Sequence, residues 1–349
     1  MKDSPSQPKR ERIASFVLIL LTFIGSFVPN AFVLAQEFTL RARVDEVVVP
    51  FSVMNDGRFV AGLESGDFTV LEDGRTQTIE SFRADPVPLS AVLLIDTGLL
   101  PESFAAVSTS RVALVRAFNL TEQHRAIGAA DEVAVYRYNN QVTRLLDFTD
   151  QDEALGNSLE WMEGFRGGVG LVGGPPPGTP VINGVPINPT ANTPLTRDRR
   201  VLHDAVNEAA LALRSREPER RRVILLVSDG SERASVTSYE DVQLRLLETE
   251  VQVFAIHIRT GLIERLAGSL MSRLDEYADF TGGATYATGS GNLDPLYPRI
   301  TAQARSQYEL IYRSANEAPS DRLVFREIEV TNRQGFDVFH RAGYYQVPP

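Results

Sequence analysis

Pro88-Leu89-Ser90-Ala91-Val92-Leu93-Leu94-Ile95-Asp96-Thr97-Gly98 is a continuous apolar run that stops at an aspartate and a glycine. A run that does not alternate apolar with polar residues reads as a strand covered on both faces. Arg222-Val223-Ile224-Leu225-Leu226-Val227-Ser228-Asp229-Gly230 repeats the device. Each run ends in Asp where the chain must turn toward a helix. Ligands gather at the carboxyl ends of the strands in an open parallel sheet. Asp96 and Asp229 therefore mark a candidate site, and two carboxylates there suggest a cation site or its remains.

Outward from these strands, helix and strand signals alternate. Phe104, Val107, Leu114, Val115 and Phe118 hold helical spacing within 101–120, and 132–138 and 141–148 read as strands joined at Asn139-Asn140. Leu155, Leu159 and Met162 mark a helix, and Leu202, Ala205, Val206, Ala209 and Leu213 another. Ser238 with Asp241 resembles a capping box opening a further helix. A strand over 251–258, a helix through Leu270, Leu274, Tyr277 and Ala278, a short strand over 284–287 and a last helix from Leu293 complete the series. This alternation predicts an α/β fold, a doubly wound, mostly parallel sheet flanked by helices, over 86–306.

Both flanks have β character. Within 36–85, Asn55-Asp56-Gly57 and Asp73-Gly74 are hairpin signals; within 307–349, strands are expected over 308–312, 324–330 and 336–340. Neither flank has enough strands to be stable alone. They are expected to pack together as a smaller β unit with the α/β domain inserted between them.

The chain has 349 residues and a formal net charge of −10, which argues against a nucleic-acid partner. It has no Cys, so disulfides and thiol chemistry are excluded. Lys2, Lys9, Arg10 and Arg12 precede an apolar run over 13–28, and Val33-Leu34-Ala35 offers small residues for cleavage before Gln36. Residues 1–35 are thus expected to be a signal peptide, the mature chain periplasmic or extracellular. The alternative is an uncleaved anchor, which would be the chain's only membrane contact. A Gly/Pro-rich stretch over 164–198 is expected to be poorly ordered or to extend over the top face beside Asp96. It contains Gly168-Val169-Gly170-Leu171-Val172-Gly173, a literal dinucleotide fingerprint, but a helix precedes it and prolines follow, the wrong context for nucleotide binding.

The apolar strand ending at Asp96, the 202–206 stretch, Leu225–Gly230 and Tyr277–Gly283 occur in an order that resembles a von Willebrand factor A (VWA) domain. The likeness is closer to the VWFA-related proteins exported by acidobacteria and similar bacteria, through Asp67–Gly74, Arg305–Tyr308 and Arg341–Tyr345. This resemblance implies a metal-ion-dependent adhesion site, in which Mg²⁺ bridges the domain to an acidic group of a protein ligand. Such a site needs an Asp-x-Ser-x-Ser turn, a later Thr and a second Asp. Here Gly98 and Leu100 stand where the serines belong and Arg200 where the Thr belongs, leaving Asp96 and Asp229 as residual metal ligands. Thr193 or Thr196 would substitute only if the long loop folds back. The expectation is a degenerate site around Asp96, Gly98, Leu100, Arg200 and Asp229, with no resident cofactor and Mg²⁺ doubtful.

Two readings of Arg200 stay open: a solvated member of the Arg197–Arg200 cluster, or an internal cation reaching Asp96 and Asp229. His203 is expected at a surface helix position. His124, His257 and His340 lack ligand spacing, Ser231 has no nucleophile-elbow frame, and Tyr344-Tyr345 reads as edge-strand packing. The expected function is a non-enzymatic protein-binding or adhesion module acting through the top face of the sheet. The alternatives are a structural envelope component and a metal-assisted hydrolase built on Asp96, Asp229 and His203, for which the sequence offers no nucleophile–base pair.

Overall fold

The computed structural model describes residues 46–99, 106, 107, 109–164, 181, 182, 185, 186, 200–259, 272–289, 292–317, 319 and 321–348. The expected leader 1–35, Leu100, Gly168–Gly173, Thr193, Thr196, Leu270 and most of 164–198 lie outside the described residues. Among the described residues no helix is long and apolar enough to cross a membrane.

The strands in chain order are β1 (Val47–Asn55), β2 (Arg58–Phe59), β3 (Phe68–Glu72), β4 (Arg75–Gln77), β5 (Ile79–Arg83), β6 (Leu89–Asp96), β7 (Glu132–Tyr138) and β8 (Val142–Thr149). They continue with β9 (Val181–Ile182), β10 (Val185–Pro186), β11 (Arg221–Ser228), β12 (Gln252–Arg259), β13 (Thr285–Gly289), β14 (Tyr308–Tyr312), β15 (Val324–Asn332), β16 (Asp337–His340) and β17 (Gly343–Gln346). The central sheet runs β13-β12-β11-β6-β7-β8, with only β8 antiparallel to its neighbour.

Why β6 is apolar from Ala91 to Ile95 is clear from its two faces. Leu89, Ala91, Leu93 and Ile95 pack in one cluster with Leu114, Phe118, Leu155 and Ile300. Val92 and Leu94 pack in another with Leu202, Val206, Leu246 and Leu274. Alternate side chains of a strand point to opposite faces, so a strand with helices on both sides is apolar on both faces, and its polar residues Ser90 and Asp96 are hydrogen-bonded. Winding reverses between β6 and β11, which are direct neighbours in register, Ile95 opposite Val227. The two aspartates thus end the pair of strands at the topological switch point, where open α/β sheets bind ligands.

The flanking segments pack together in two sheets, each containing strands from both. One sheet runs β16-β1-β14-β5, with β2 paired to β1; the other runs β17-β15-β3-β4. Val49, Phe51 and Val53 of β1, Phe68 and Val70 of β3, Tyr308 and Leu310 of β14, and Ile328 and Val330 of β15 form their shared core. The two-residue alternation of buried positions in β3 and β14 is that of strands with one wet face. Both hairpin signals hold: Asp56-Gly57 and Asp73-Gly74 all have positive φ, as a type I′ turn requires.

The helix expected over 101–120 is present as Arg111–Ala117, with helical residues also at 106, 107 and 109, while 101–105 and 108 lie outside the described residues. Two expectations need correction. At Ser238 only half of a capping box forms: its Oγ accepts from the Asp241 amide, while the Asp241 carboxylate accepts from the Ser238 hydroxyl rather than from its backbone. The reciprocal box lies instead at Ser272 and Asp275, opening the helix Arg273–Thr281. His203, expected at the surface, is buried.

Candidate functional site

The site is assembled at the ends of β6, β7 and β11 and at the start of the helix Leu202–Arg214. Asp96, the last residue of β6, is fully buried. Its Oδ1 accepts from the Gly98 amide at 2.8 Å, an Asx-type turn that carries the chain off the strand. Its Oδ2 accepts from the Ser228 hydroxyl at 3.1 Å and from Arg200 Nη1 at 2.5 Å. Ser228 is itself the acceptor for the Tyr138 hydroxyl at 2.8 Å and for the Gly230 amide at 3.0 Å. Two segments remote in sequence, at Arg200 and Ser228, therefore meet on one carboxylate, and a third, at Tyr138, reaches it through Ser228.

Arg200 is 5% exposed, which settles its placement: it belongs to the site and not to a solvated cluster. Its Nη2 donates to the Gly98 carbonyl and lies 3.9 Å from Asp229 Oδ2. A planar guanidinium serves several acceptors in this way, where an ammonium would act as a point charge. Asp229 caps its own turn by accepting from the Ser231 amide at 2.9 Å. Burial pushes the Asp96 carboxyl up to about 6, with the Arg200 guanidinium pulling it down and the Asp229 charge adding to the rise. The same burial raises the Tyr138 hydroxyl well above its ordinary value, so it stays protonated as a donor to Ser228.

Gly98 is part of this arrangement. A Cβ built there would lie 2.4 Å from both Cζ and Nε of Arg200. Any side chain at 98, a serine included, would collide with the guanidinium where it now sits.

The loop after Asp229 is fixed to the same residues. The Arg200 carbonyl accepts from the amides of Arg233 and Ala234, each at 3.0 Å. Glu232 accepts from the amides of His203, Ala234 and Ser235 and from the Ser235 hydroxyl, bonds that hold its carboxyl below the ordinary value although burial opposes them. Asp204 accepts from the amides of Val236 and Thr237. Val236 at the end of this loop is 95% exposed.

His203 turns away from the site. It is 8% exposed, and its Nδ1 is 2.5 Å from the Tyr277 hydroxyl. Burial depresses its pKa. The sequence carried a signal for this: His203, Val206, Ala210 and Leu213 are all buried, at the i, i+3, i+7, i+10 spacing of one helix face. Ser228 and Tyr138 were also missed. Ser228 was visible only as the neighbour of Asp229, and Tyr138 had no local signal at all, since its role depends on β7 lying beside β6.

A divalent cation does not fit these residues. Mg²⁺ requires near-octahedral oxygen ligands. Here Gly98 has no side-chain oxygen, the Gly98 carbonyl and Asp96 Oδ2 already accept from Arg200, and a buried guanidinium stands between the carboxylates. Among the described residues no cluster of three or more His, Asp or Glu forms a metal site. Two cavities of about 570 and 450 Å³ open along the seam between the α/β domain and the β unit, near Met54, Gly57 and Arg299, and share no residue with the Asp96 site.

No family model and no curated protein matches the sequence. Among solved structures, the chain is similar to proximal thread matrix protein 1 from the mussel byssus, with 13% identity over 64% of this chain and 49% of that one, TM-score 0.42. It is also similar to a von Willebrand factor type A structure from Catenulispora acidiphila, with 9% identity over 87% of this chain and 73% of that one, TM-score 0.41. A third similar structure is BatB from Bacteroides thetaiotaomicron, with 14% identity over 62% of this chain and all of that one, TM-score 0.38. The chain spans about half the length of the mussel protein it matches.

Proposed function

We propose that this protein is an exported, non-catalytic binding module that holds a protein ligand on the top face of its central sheet, beside Asp96. The basic start, Lys2 to Arg12, and the apolar run over 13–28 support export. The carrying observation is the loop Ser231–Thr237. Its backbone is pinned by Asp204, Glu232 and the Arg200 carbonyl, and it presents Val236, 95% exposed, at the carboxyl ends of the strands. An apolar side chain on a prefixed backbone contacts a partner with little ordering cost. Against a hydrolase stands His203, whose ring is engaged with Tyr277 in the core rather than with Asp96 or Asp229.

The test is capture from envelope extract by the immobilised chain starting at Gln36, compared with Val236→Asp and Ile127→Asp. Ile127 is 72% exposed and precedes β7, at the opposite end of the sheet. The expected result is a captured protein lost with Val236→Asp and retained with Ile127→Asp. Equal capture by both variants would refute the assignment to the top face.

A further inference from the structure

We infer that Arg200 is the resident cation of this site: its guanidinium occupies the place and does the electrostatic work of a divalent ion, so that the top face is built without metal. This inference goes beyond the proposed function and does not depend on which ligand the face holds.

Asp96 is fully buried and Asp229 lies close enough to raise its pKa. A buried carboxylate with a second carboxylate nearby needs a positive partner or is driven to stay protonated. Arg200 is that partner, bonded to Asp96 Oδ2 and within 3.9 Å of Asp229 Oδ2. It is also a structural hub as a metal would be, because Nη2 ties down the Gly98 carbonyl on the β6 turn.

Steric fit makes the substitution self-consistent. The guanidinium needs the volume that any side chain at 98 would fill, as the 2.4 Å approach of a Cβ shows. The absence of a serine at 98 and the presence of arginine at 200 are thus one change and not two. A bound metal offers a vacant coordination position to an incoming carboxylate. This cation offers none, since it is 5% exposed and its bonds run inward. A partner anchored through its own carboxylate on a bridging ion is therefore excluded, and recognition falls to the rim around Val236.

The experiment follows the melting temperature of the chain from Gln36 with EDTA, Mg²⁺ or Mn²⁺, for the parent, Arg200→Ala, Arg200→Lys and Gly98→Ala. The parent is expected to melt at one temperature in all three conditions. Arg200→Ala is expected to melt about 5–10 °C lower in EDTA, as for loss of one partner of a buried pair. Part of that loss should return with Mn²⁺ or Mg²⁺, which can enter the vacated oxygen-lined space. Arg200→Lys should recover less than half of the loss, and Gly98→Ala should fall toward Arg200→Ala by displacing the guanidinium. If Arg200→Ala yields no folded protein, the parent and Gly98→Ala decide. A parent stabilised by several degrees with either ion, or a Gly98→Ala variant that melts with the parent, overturns the inference.

Discussion

Single side chains in this molecule are placed by the hydrogen bonds they can make only in one protonation state. His340 is the clearest instance. Its Nε2 accepts from the Val330 amide at 3.2 Å and its Nδ1 faces the Arg341 carbonyl at 2.9 Å, so the ring must carry its proton on Nδ1. A second proton would set two N–H groups against each other. Burial lowers the His340 pKa, opposed by the Arg341 carbonyl and by Glu329. The folded pKa is below the unfolded one, so His340 contributes its full stability above about pH 6.5 and that contribution is lost as pH falls toward the folded value. Between about pH 7.5 and 5.5 the melting temperature of the parent should fall further than that of His340→Gln, which has no proton to take up. A parent and variant with parallel pH dependence would remove His340 as the cause. Residue-scale chemistry was only partly legible in the sequence. Asp96 and Asp229 stand out because each closes an apolar run, and the resemblance places Arg200 where a threonine belongs. The steric permission given by Gly98 and the Tyr138–Ser228–Asp96 chain were not legible, because they depend on which strands lie side by side.

At the scale of elements, the end of the helix Arg273–Thr281 shows how one short motif serves two roles. Gly282 terminates the helix in the left-handed region with φ 76°, and its amide returns to the Ala278 carbonyl. The same residue lets the β unit approach: a Cβ there would lie 2.6 Å from the Arg341 nitrogen and from the His340 carbonyl carbon. The contact is cemented by the Ala342 amide donating to the Phe280 carbonyl and by a bridge between Thr281 and Arg341. Two glycines directly after a helical spacing are a legible helix stop, but nothing local marks them as a docking point for Arg341-Ala342-Gly343. Gly335 provides the comparison, with φ 80° and open space around its Cα. Gly335→Ala should cost about 1 kcal/mol through backbone strain alone. Gly282→Ala adds a clash with backbone that cannot rotate away and should cost about 3 kcal/mol or more. Chemical denaturation of the two variants checks this; equal losses would mean that the seam yields easily and is no tight joint.

The whole molecule is a chain whose two ends must meet before either is stable. β14 lies between β1 and β5, so the first sheet alternates strands from before and after the α/β domain, and the second joins the later pair β17-β15 to the earlier pair β3-β4 through β15 and β3. Glu72 fastens the arrangement. Its fully buried carboxylate accepts from the Tyr312 and Tyr344 hydroxyls, the Ser314 hydroxyl and the Asn316 side-chain amide, all from the C-terminal segment. Nothing in the residues around Glu72 announces these partners, because all of them lie more than two hundred positions later in the chain. The alternation of apolar residues did announce the strands, since period two is a local property. Removing the chain after Ser306 deletes β14 to β17 and leaves β1 and β3 without the neighbours that satisfy their backbones and cover Val49, Phe51, Val53, Phe68 and Val70. The remaining strands of 46–84 pair only β2 with β1 and β4 with β3, which is too little to hold a sheet. Amide hydrogen exchange on the truncated chain should therefore show 46–84 unprotected, in contrast to the full chain, with a tendency to aggregate through the uncovered apolar strands. The central sheet has its own two cores on its own six strands and should keep its protection in β6 and β11. Protection that survives in 46–84 would mean that the N-terminal segment folds by itself. Loss of protection in β6 and β11 as well would mean that the β unit and the α/β domain are one cooperative body, with Arg305, bound to the buried Asp131 that also accepts from the Leu89 amide, as the link that carries the loss into the central strand.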